Sequence, residues 1–237
     1  ADERFDRMLT TARYEFAANA DWLTFCRSAA DIRTAVEAGK AAALLSIEGA
    51  ELLPDRPDAL DYVYDAGVRL ITLTWNYRSR YGCSSAVDQN EGLTELGKQL
   101  VRDCGEKGII VDVSHLSDRG FQDVCEATDR PFVATHSDSR VLCRNSRNLT
   151  DEQFAEIANR RGLVGVNLYT PFLVRQYGEK VGALGCDFDG CDTLPIGIDG
   201  LADMYRLADR MLTLGYKQET VDGLFYDNAF NFMQKML

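Results

Sequence analysis

The sequence predicts an α/β fold built on parallel strands, and a single (β/α)8 barrel of the TIM type fits it best. Short apolar runs alternate with amphipathic segments along the chain, which is the pattern of repeated βα units. Most runs are apolar throughout, as expected for parallel strands covered on both faces. The 237 residues, 46% of them hydrophobic, fit one barrel of about 250 residues or two smaller domains. We expect one barrel domain over residues 1–237.

Six apolar runs are the candidate strands. They cover residues 41–48, 68–75, 108–115, 131–136, 162–169 and 181–187. Helical patterns lie between them, for example over residues 93–106. Thr150 with Gln153 three positions later is a capping-box arrangement that predicts a helix start. The apolar residues of segment 219–237 predict a helix that packs on the barrel or contributes to a homodimer interface.

Six strands are fewer than the eight of a closed barrel, and one connection is short. The segment Arg175 to Lys180 has little amphipathic pattern and is cramped for a βαβ crossover. A barrel without its first strand and one crossover helix would leave sheet edges open. We therefore expect an N-terminally incomplete barrel that belongs to a longer functional protein.

Polar side chains gather where the candidate strands finish. In chain order, these are Glu48, Trp75 with Asn76, His115, His136, Asn167 with Tyr169, and Asp187. The catalytic groups of α/β barrels lie at the carboxyl ends of strands. The two histidines are the only ones in the chain, and together with two carboxylates they form a ligand set that suits Zn²⁺ or a similar divalent ion. The alternative is that each histidine is hydrogen-bonded in the core without a metal.

Composition excludes several classes of function. A net charge of −11 argues against nucleic acid or an anionic membrane surface as partner. Seven cysteines without a CxxC pair indicate reduced thiols, and no signal peptide or apolar run of about 18 residues is visible, so we expect a cytoplasmic protein. No dinucleotide, serine-hydrolase or P-loop spacing occurs, and no candidate strand ends in the lysine that a Schiff-base aldolase needs.

An ordered series of motifs runs from about residue 28 to the C-terminus. It comprises Ile47-Glu48-Gly49, residues 67–76, residues 92–94, residues 111–115 ending in Ser114-His115, Thr135-His136-Ser137, Arg147-Asn148 and residues 185–190. This series resembles the membrane dipeptidase (renal dipeptidase) family of zinc peptidases, which belong to the amidohydrolase-like barrels. The order of the motifs is far more specific than any single one.

The resemblance implies a role for each matched residue. Glu48 corresponds to the carboxylate that bridges two zinc ions, and His115 and His136 to the ligands of the second zinc. Arg147 corresponds to the arginine that binds the substrate carboxylate, for which a planar fork is better suited than lysine. The alternative for Arg147 is that it is a solvated arginine near the start of a helix. Asp187 corresponds to the aspartate that orients the bridging water and takes part in proton transfer.

One competing residue and two departures from the family pattern bear on these assignments. Asp189 is the nearest rival of Asp187 and could be a capping or structural carboxylate. The family's His-x-Asp on the first strand, which completes the other zinc site, is absent. Trp75 stands where some members have a substrate-contacting histidine, and its indole has a donor but no basic nitrogen. Together with Asn76 and Tyr169 it is a substrate-binding candidate, although a packing role for this tryptophan is favoured.

The function that the resemblance implies is a zinc-dependent dipeptidase. It would hydrolyse small dipeptides with a free C-terminal carboxylate through a hydroxide that bridges two zinc ions. One alternative is an inactive, metal-poor relative that acts as a binding module. The other is an amidohydrolase-like enzyme that acts on a non-peptide amide, because metal ligands alone do not define the substrate.

Overall fold

The computed structural model describes residues 2–172, 182–195 and 197–237. It divides the chain into two compact units, Ala1–Arg130 with Met233–Leu237, and Pro131–Phe232. The short connection predicted over residues 175–180 lies outside the described residues. Among those that are described, no helix is long and apolar enough to cross a membrane.

The first unit contains a parallel sheet and helices that precede its strands. Its elements are α1 Asp2–Ala18, β1 Leu23–Phe25, α2 Ala29–Glu37, β2 Ala41–Ala43, β3 Leu45–Glu48, a 3-10 turn Ala50–Leu52, α3 Ala59–Ala66, β4 Val68–Thr72, α4 Glu95–Lys107, β5 Ile110–Asp112 and α5 Asp118–Ala127. Strand β4 pairs in parallel with β3 on one side and with β5 on the other. Buried apolar residues such as Ile47, Ile71 and Ile110 place the core on this sheet. The predicted α/β class is confirmed.

Local sequence signals explain the ends of the helices around β5. The side chain of Thr94 accepts a hydrogen bond from the backbone N–H of Gly97 at the start of α4, and Ser117 caps α5 in the same way through Gly120. Helix α4 ends at Gly108, which adopts the left-handed conformation. These caps determine where the chain enters and leaves β5, and therefore where His115 lies.

The predicted strand over residues 41–48 is two strands rather than one. Residues Ala41–Ala43 pair in parallel with β1 in a separate two-stranded sheet, whereas Leu45–Glu48 pair with β4. The break at Leu44 is invisible in the sequence because the run is apolar on both sides of it. Strand β1 was not predicted, since three half-buried residues are too few to produce a periodic pattern.

The second unit contains three further parallel strands. Its elements are β6 Val133–Ala134, α6 Asp151–Asn159, β7 Leu163–Val166, a 3-10 turn Thr170–Phe172, β8 Gly182–Leu184, a 3-10 turn Leu201–Asp203, α7 Met204–Thr213, α8 Gln218–Asp222 and a π-helical turn Gly223–Asp227. Helix α9 Asn228–Met236 begins in this unit, and its residues from Met233 onward belong to the first unit. Strand β7 pairs in parallel with β6 and β8. The capping box of Thr150 and Gln153 is confirmed at the start of α6. The helix predicted in segment 219–237 is confirmed as well, although the π-helical turn interrupts it.

Two glycines allow the backbones to approach closely at the ends of strands β6, β7 and β8. A Cβ atom at Gly165 or at Gly185 would lie 1.8 Å from the carbonyl oxygen of Thr135. No side chain fits in that space, so glycine is required at both positions. Thr135 directly precedes His136, and this contact therefore fixes the backbone from which that histidine projects.

The strands are shorter than the apolar runs that predicted them. Glu48 is the last residue of β3, but β5 ends at Asp112, before His115, and β8 ends at Leu184, before Asp187. Most candidate site residues consequently lie in the loops that follow the strands. Loops on a rigid sheet are a common location for catalytic groups.

Candidate active site

In the first unit, Glu48 and His115 face each other from the ends of β3 and β5. The Nε2 atom of His115 lies 3.1 Å from Oε1 of Glu48. The imidazole is nearly buried, whereas 44% of the Glu48 side chain is exposed. The pair thus combines a fixed nitrogen with a carboxylate that solvent or a ligand can reach.

Asn76 determines which nitrogen of His115 faces Glu48. Its Oδ1 atom lies 2.9 Å from Nδ1 of the imidazole. An amide oxygen accepts hydrogen bonds, so this contact is satisfied when Nδ1 carries a hydrogen. Nε2 then either donates to Glu48, when the ring is protonated, or directs a lone pair toward Oε1 at 3.1 Å, where a metal ion would lie between the two acceptors. Metal-binding histidines usually donate their other N–H in this way, so the residues present fit a metal.

The backbone at His115 adopts a conformation that is unusual for a residue with a side chain. Its φ is 68°, in the left-handed region. The buried carboxylate of Asp112 holds the preceding turn, because Oδ1 accepts from the backbone N–H of Ser114 and Oδ2 accepts from the hydroxyl of Thr72. The carbonyl of His115 itself accepts from the N–H of Ser85. Strained backbone that the surrounding structure maintains is characteristic of functional sites.

Trp75 lies at the surface beside Tyr77. The two rings meet edge to face, with centroids 5.3 Å apart, and 39% of the tryptophan is exposed. Trp75 thus packs on Tyr77 and is partly exposed, and its packing and substrate-binding roles both stay predictions. Asn76 lies between these aromatic residues in sequence; it is exposed, and its side chain contacts His115.

In the second unit, Arg147 is held against the residues around His136. Its Nη1 donates to Oγ of Ser137 at 2.8 Å, and its Nη2 donates to the carbonyl oxygen of His136 at 3.0 Å. The side chain is buried, so the alternative of a solvated arginine is wrong. Nδ1 of His136 lies 2.7 Å from the hydroxyl of Thr135, and Nε2 is the nitrogen on the other side of the ring.

The carboxylate of Asp138 is buried and interacts electrostatically with Arg147. Burial raises its pKa to about 7, although a hydrogen bond from the N–H of Asn167 and the charge of Arg147 both act to lower it. Its Oδ1 accepts from that N–H, and its Oδ2 has no hydrogen-bond partner among the described residues. The sequence analysis assigned no role to Asp138.

Asp187 follows β8 and contacts Asn167, which follows β7. The Nδ2 of Asn167 donates to Oδ2 of Asp187 at 3.3 Å. Asp187 has a positive φ of 55°, and a Cβ atom at Gly190 would lie only 2.4 Å from its Oδ1. Its rival Asp189 is exposed in the turn that follows. The geometry is therefore that of one oriented aspartate, at 187, and one solvated aspartate, at 189.

Tyr169 is positioned by the same asparagine. Its backbone N–H donates to Oδ1 of Asn167 at 2.7 Å, and its ring meets Phe172 edge to face. Desolvation, with a further contribution from Asp192, raises the pKa of Tyr169 above its usual value. The phenol is consequently neutral at pH 7 and can donate a hydrogen bond.

The structure brings the candidates together in groups within each unit. In the first unit these are Glu48, Asn76 and His115. In the second they are His136 with Arg147, and Tyr169 with Asp187 through Asn167. The sequence analysis gave no role to Ser137 or Asn167, which link these groups. Asn167 did leave a signal, because it is a polar residue near the end of the apolar run 162–169.

Comparison with known proteins identifies the family. Residues 3–181 match the membrane dipeptidase family, peptidase family M19. A protein of Klebsiella pneumoniae from the pqqA 5' region is 32% identical over 250 residues, which cover 94% of this chain and 92% of that protein. A protein of Acinetobacter calcoaceticus from the PQQ-III 3' region is 38% identical over 164 residues, which cover 67% of this chain but only 52% of that protein. The chain thus matches about half of the Acinetobacter relative.

Solved structures agree with this assignment. A metallo peptidase from Rhodobacter sphaeroides, liganded with a phosphinate mimic of the dipeptide L-Ala-D-Ala, is 30% identical with a TM-score of 0.84 and covers 91% of this chain and 69% of that one. A dipeptidase of family M19 is also 30% identical, with a TM-score of 0.89, and covers 97% of this chain and 76% of that one. A TIM-barrel protein from Bordetella bronchiseptica is 14% identical with a TM-score of 0.51, covers 98% of this chain and 89% of that one, and shows the fold alone. The chain therefore has the α/β fold of an incomplete TIM-type barrel, and it belongs to the membrane dipeptidase family, peptidase family M19.

Proposed function

We propose that this protein is a metal-dependent dipeptidase. The observation that supports this most directly is the Glu48–His115 pair, in which Asn76 orients Nε2 toward a partly exposed carboxylate. The pair fits a metal site because an imidazole nitrogen and a carboxylate oxygen are both ligands of divalent ions, and the carboxylate is partly exposed. Membership of a metallo-dipeptidase family supports the same role.

The ligands we propose are Glu48, His115 and His136. They offer one carboxylate and two imidazole nitrogens, a set that suits zinc. We propose two zinc ions per functional protein, with Glu48 as the shared ligand, on the basis of the resemblance to the family. When bound, such an ion polarises the scissile carbonyl and lowers the pKa of water.

The remaining residues would bind and orient the substrate. In our proposal Arg147 binds the free C-terminal carboxylate, since its planar guanidinium is already fixed by two hydrogen bonds and loses little entropy on binding. Asp187 would accept a proton from the attacking water and deliver it to the leaving amine. Trp75, Asn76 and Tyr169 would contact the substrate, and Asn76 would also orient His115.

The substrate class that we propose is small dipeptides with a free C-terminus. The Rhodobacter metallo peptidase was solved with a mimic of L-Ala-D-Ala, which suggests that both L and D residues at the C-terminal position should be tested. Zinc as the metal, a homodimer and a cytoplasmic location stay predictions from the sequence. Elemental analysis, analytical ultracentrifugation and cell fractionation test them in turn.

The experiment that tests the proposal combines metal content with turnover on one sample. The purified protein, loaded with Zn²⁺, is incubated with L-Ala-L-X and L-Ala-D-X dipeptides, their C-terminal amides, and a non-peptide amide. Cleavage of free dipeptides that a chelator abolishes and Zn²⁺ restores supports the proposal. Near-zero metal after loading, with no cleavage of any substrate, would overturn it in favour of the metal-poor binding module, and cleavage confined to the non-peptide amide would favour the other alternative.

A further inference from the structure

We infer that Asn167 is a positioning residue for the reaction: its side-chain amide holds the carboxylate of Asp187 and the backbone of Tyr169 in one arrangement. The inference rests on the proposed function, because it gives Asn167 a role through the proton-transferring aspartate. The sequence resemblance assigned no role to Asn167. The evidence comes from the hydrogen bonds of this one buried side chain.

The two ends of the Asn167 amide bind two different loops. Its Nδ2 donates to Oδ2 of Asp187 at 3.3 Å, in the loop after β8, and its Oδ1 accepts from the N–H of Tyr169 at 2.7 Å, in the loop after β7. A side-chain amide carries a hydrogen-bond donor and a hydrogen-bond acceptor on one small group. Asparagine is therefore matched to both partners at once, and no acidic or apolar residue of similar size would be.

The backbone of Asn167 adds a third connection. Its N–H donates to Oδ1 of Asp138 at 3.2 Å, and Asp138 in turn accepts through its backbone carbonyl from the N–H of Leu149. Only 1% of Asn167 is exposed, so the amide does not exchange these partners for water. A buried hydrogen bond of this kind fixes orientation, because the alternative is an unsatisfied polar group.

Asp187 needs such support because its own backbone is strained. Its φ of 55° is in the left-handed region, where a residue with a side chain persists only if its surroundings hold it. The neighbouring turn contributes one bond, from the N–H of Gly190 to the carbonyl of Asp187. The amide of Asn167 then restricts the carboxylate itself, and a misplaced general base slows proton transfer without weakening substrate binding.

A purely structural role for Asn167 makes a different prediction. The bond from the N–H of Tyr169 stabilises the turn after β7, and Asn167→Asp keeps the size and the acceptor for that bond. If turn formation were its only role, Asn167→Asp would be milder than Asn167→Ala in the folded enzyme. If the Nδ2 donor positions Asp187, Asn167→Asp is the more harmful change, because it sets an acceptor against the carboxylate.

The test measures kcat and KM of the zinc-loaded protein for a dipeptide that it cleaves, and kcat is expressed per folded molecule. The proteins compared are the parent, Asn167→Ala, Asn167→Asp, Asp187→Asn and the double variant Asn167→Ala/Asp187→Asn. We expect Asn167→Ala to lower kcat at least tenfold with KM changed less than threefold, and Asn167→Asp to lower kcat further. In the Asp187→Asn background, Asn167→Ala should change kcat less than twofold.

The outcomes separate this inference from the proposed function. A parent protein that cleaves no dipeptide contradicts the proposed function and, with it, the role of Asn167. An active parent in which Asn167→Ala lowers kcat equally with and without Asp187 overturns the inference alone. If Asp187→Asn has no measurable activity, the order of the two Asn167 variants decides: Asn167→Asp below Asn167→Ala supports positioning, and the reverse order overturns it.

Discussion

The hydroxyl of Thr72 donates a 2.7 Å hydrogen bond to Oδ2 of Asp112, and both side chains are buried. Thr72 is the last residue of β4 and Asp112 the last of β5, so this bond joins the two strand ends that lead to Asn76 and His115. The other carboxylate oxygen accepts from the N–H of Ser114. Asp112 is thus a structural carboxylate that supports the turn of a proposed metal ligand.

We expect Asp112→Ala to lower the free energy of unfolding by about 2–4 kcal/mol, because it leaves buried donors of Thr72 and Ser114 unsatisfied. Thr72→Val removes only the hydroxyl and should lower it by about 1–2 kcal/mol. Urea denaturation of the metal-free protein measures both changes. An unfolding midpoint of Asp112→Ala equal to that of the parent would contradict this role.

Removing any of the three proposed ligands should remove metal and activity together. We expect Glu48→Ala, His115→Ala and His136→Ala each to bind less zinc after loading and to lose at least 99% of kcat, with the thermal midpoint of the metal-free protein changed by only a few degrees. Elemental analysis and calorimetry measure these quantities. Glu126→Gln, which changes an exposed carboxylate on α5, is the matched control. A variant that unfolds but retains its metal would exclude that residue as a ligand.

Asn76 should influence metal affinity without touching the metal. We expect Asn76→Ala to weaken zinc binding roughly 10–100-fold, because His115 loses the acceptor that fixes its ring. Asn76→Asp retains an acceptor for Nδ1 and should recover most of the affinity. Competition with a chromophoric chelator measures both. Equal affinity of the parent and Asn76→Ala would show that the hydrogen bond at 2.9 Å does not orient the ligand.

Arg147 should act on substrate binding through the C-terminal carboxylate. We expect Arg147→Lys to raise KM for free dipeptides by at least tenfold with a smaller change in kcat, because a single ammonium group does not reproduce the planar fork. C-terminal amides, which lack the carboxylate, should be poor substrates for the parent and no poorer for the variant. Steady-state kinetics on matched pairs of peptides measures this. A parent enzyme that cleaves amides as well as free peptides would contradict the anchor role.

The cysteines should differ widely in reactivity. Burial raises the pKa of Cys104 to about 12, so at pH 8 its thiolate fraction is on the order of one in ten thousand. We expect iodoacetamide to leave Cys104 unmodified in the native protein and to modify it in urea, whereas the partly exposed Cys143 reacts in both states. Mass spectrometry of the peptides identifies the modified sites. Rapid native labelling of Cys104 would show that this part of α4 opens readily.

The positions of the main site residues could be predicted because strand ends are visible in sequence. His115 and His136 each follow an apolar run, and the order of the surrounding motifs identified the family, which was confirmed. The capping box at Thr150 was also predictable, since its signal lies within four consecutive residues. Local patterns of this kind need no knowledge of distant contacts.

Contacts between distant residues could not be predicted in the same way. The contact of Asn76 with His115, 39 positions later in the chain, left no local signal in the sequence, and the expected role of Asn76 in substrate binding stays a prediction. Burial of Arg147 depends on its bond to the carbonyl of His136, and a backbone acceptor leaves no signal in the sequence. Strand β1 was missed because its three residues gain stability from pairing with β2 and not from their own periodicity.

The contact of Thr135 with Gly165 and Gly185 has a consequence for how this protein tolerates change. Backbone atoms make that contact, so the place of His136 depends on the absence of a side chain at both glycines. Random variation should therefore be rejected at both glycines, where even a methyl group forces the backbones apart. An engineer who wishes to alter the substrate must therefore leave those glycines unchanged, together with the loop residues that are proposed to act in the reaction.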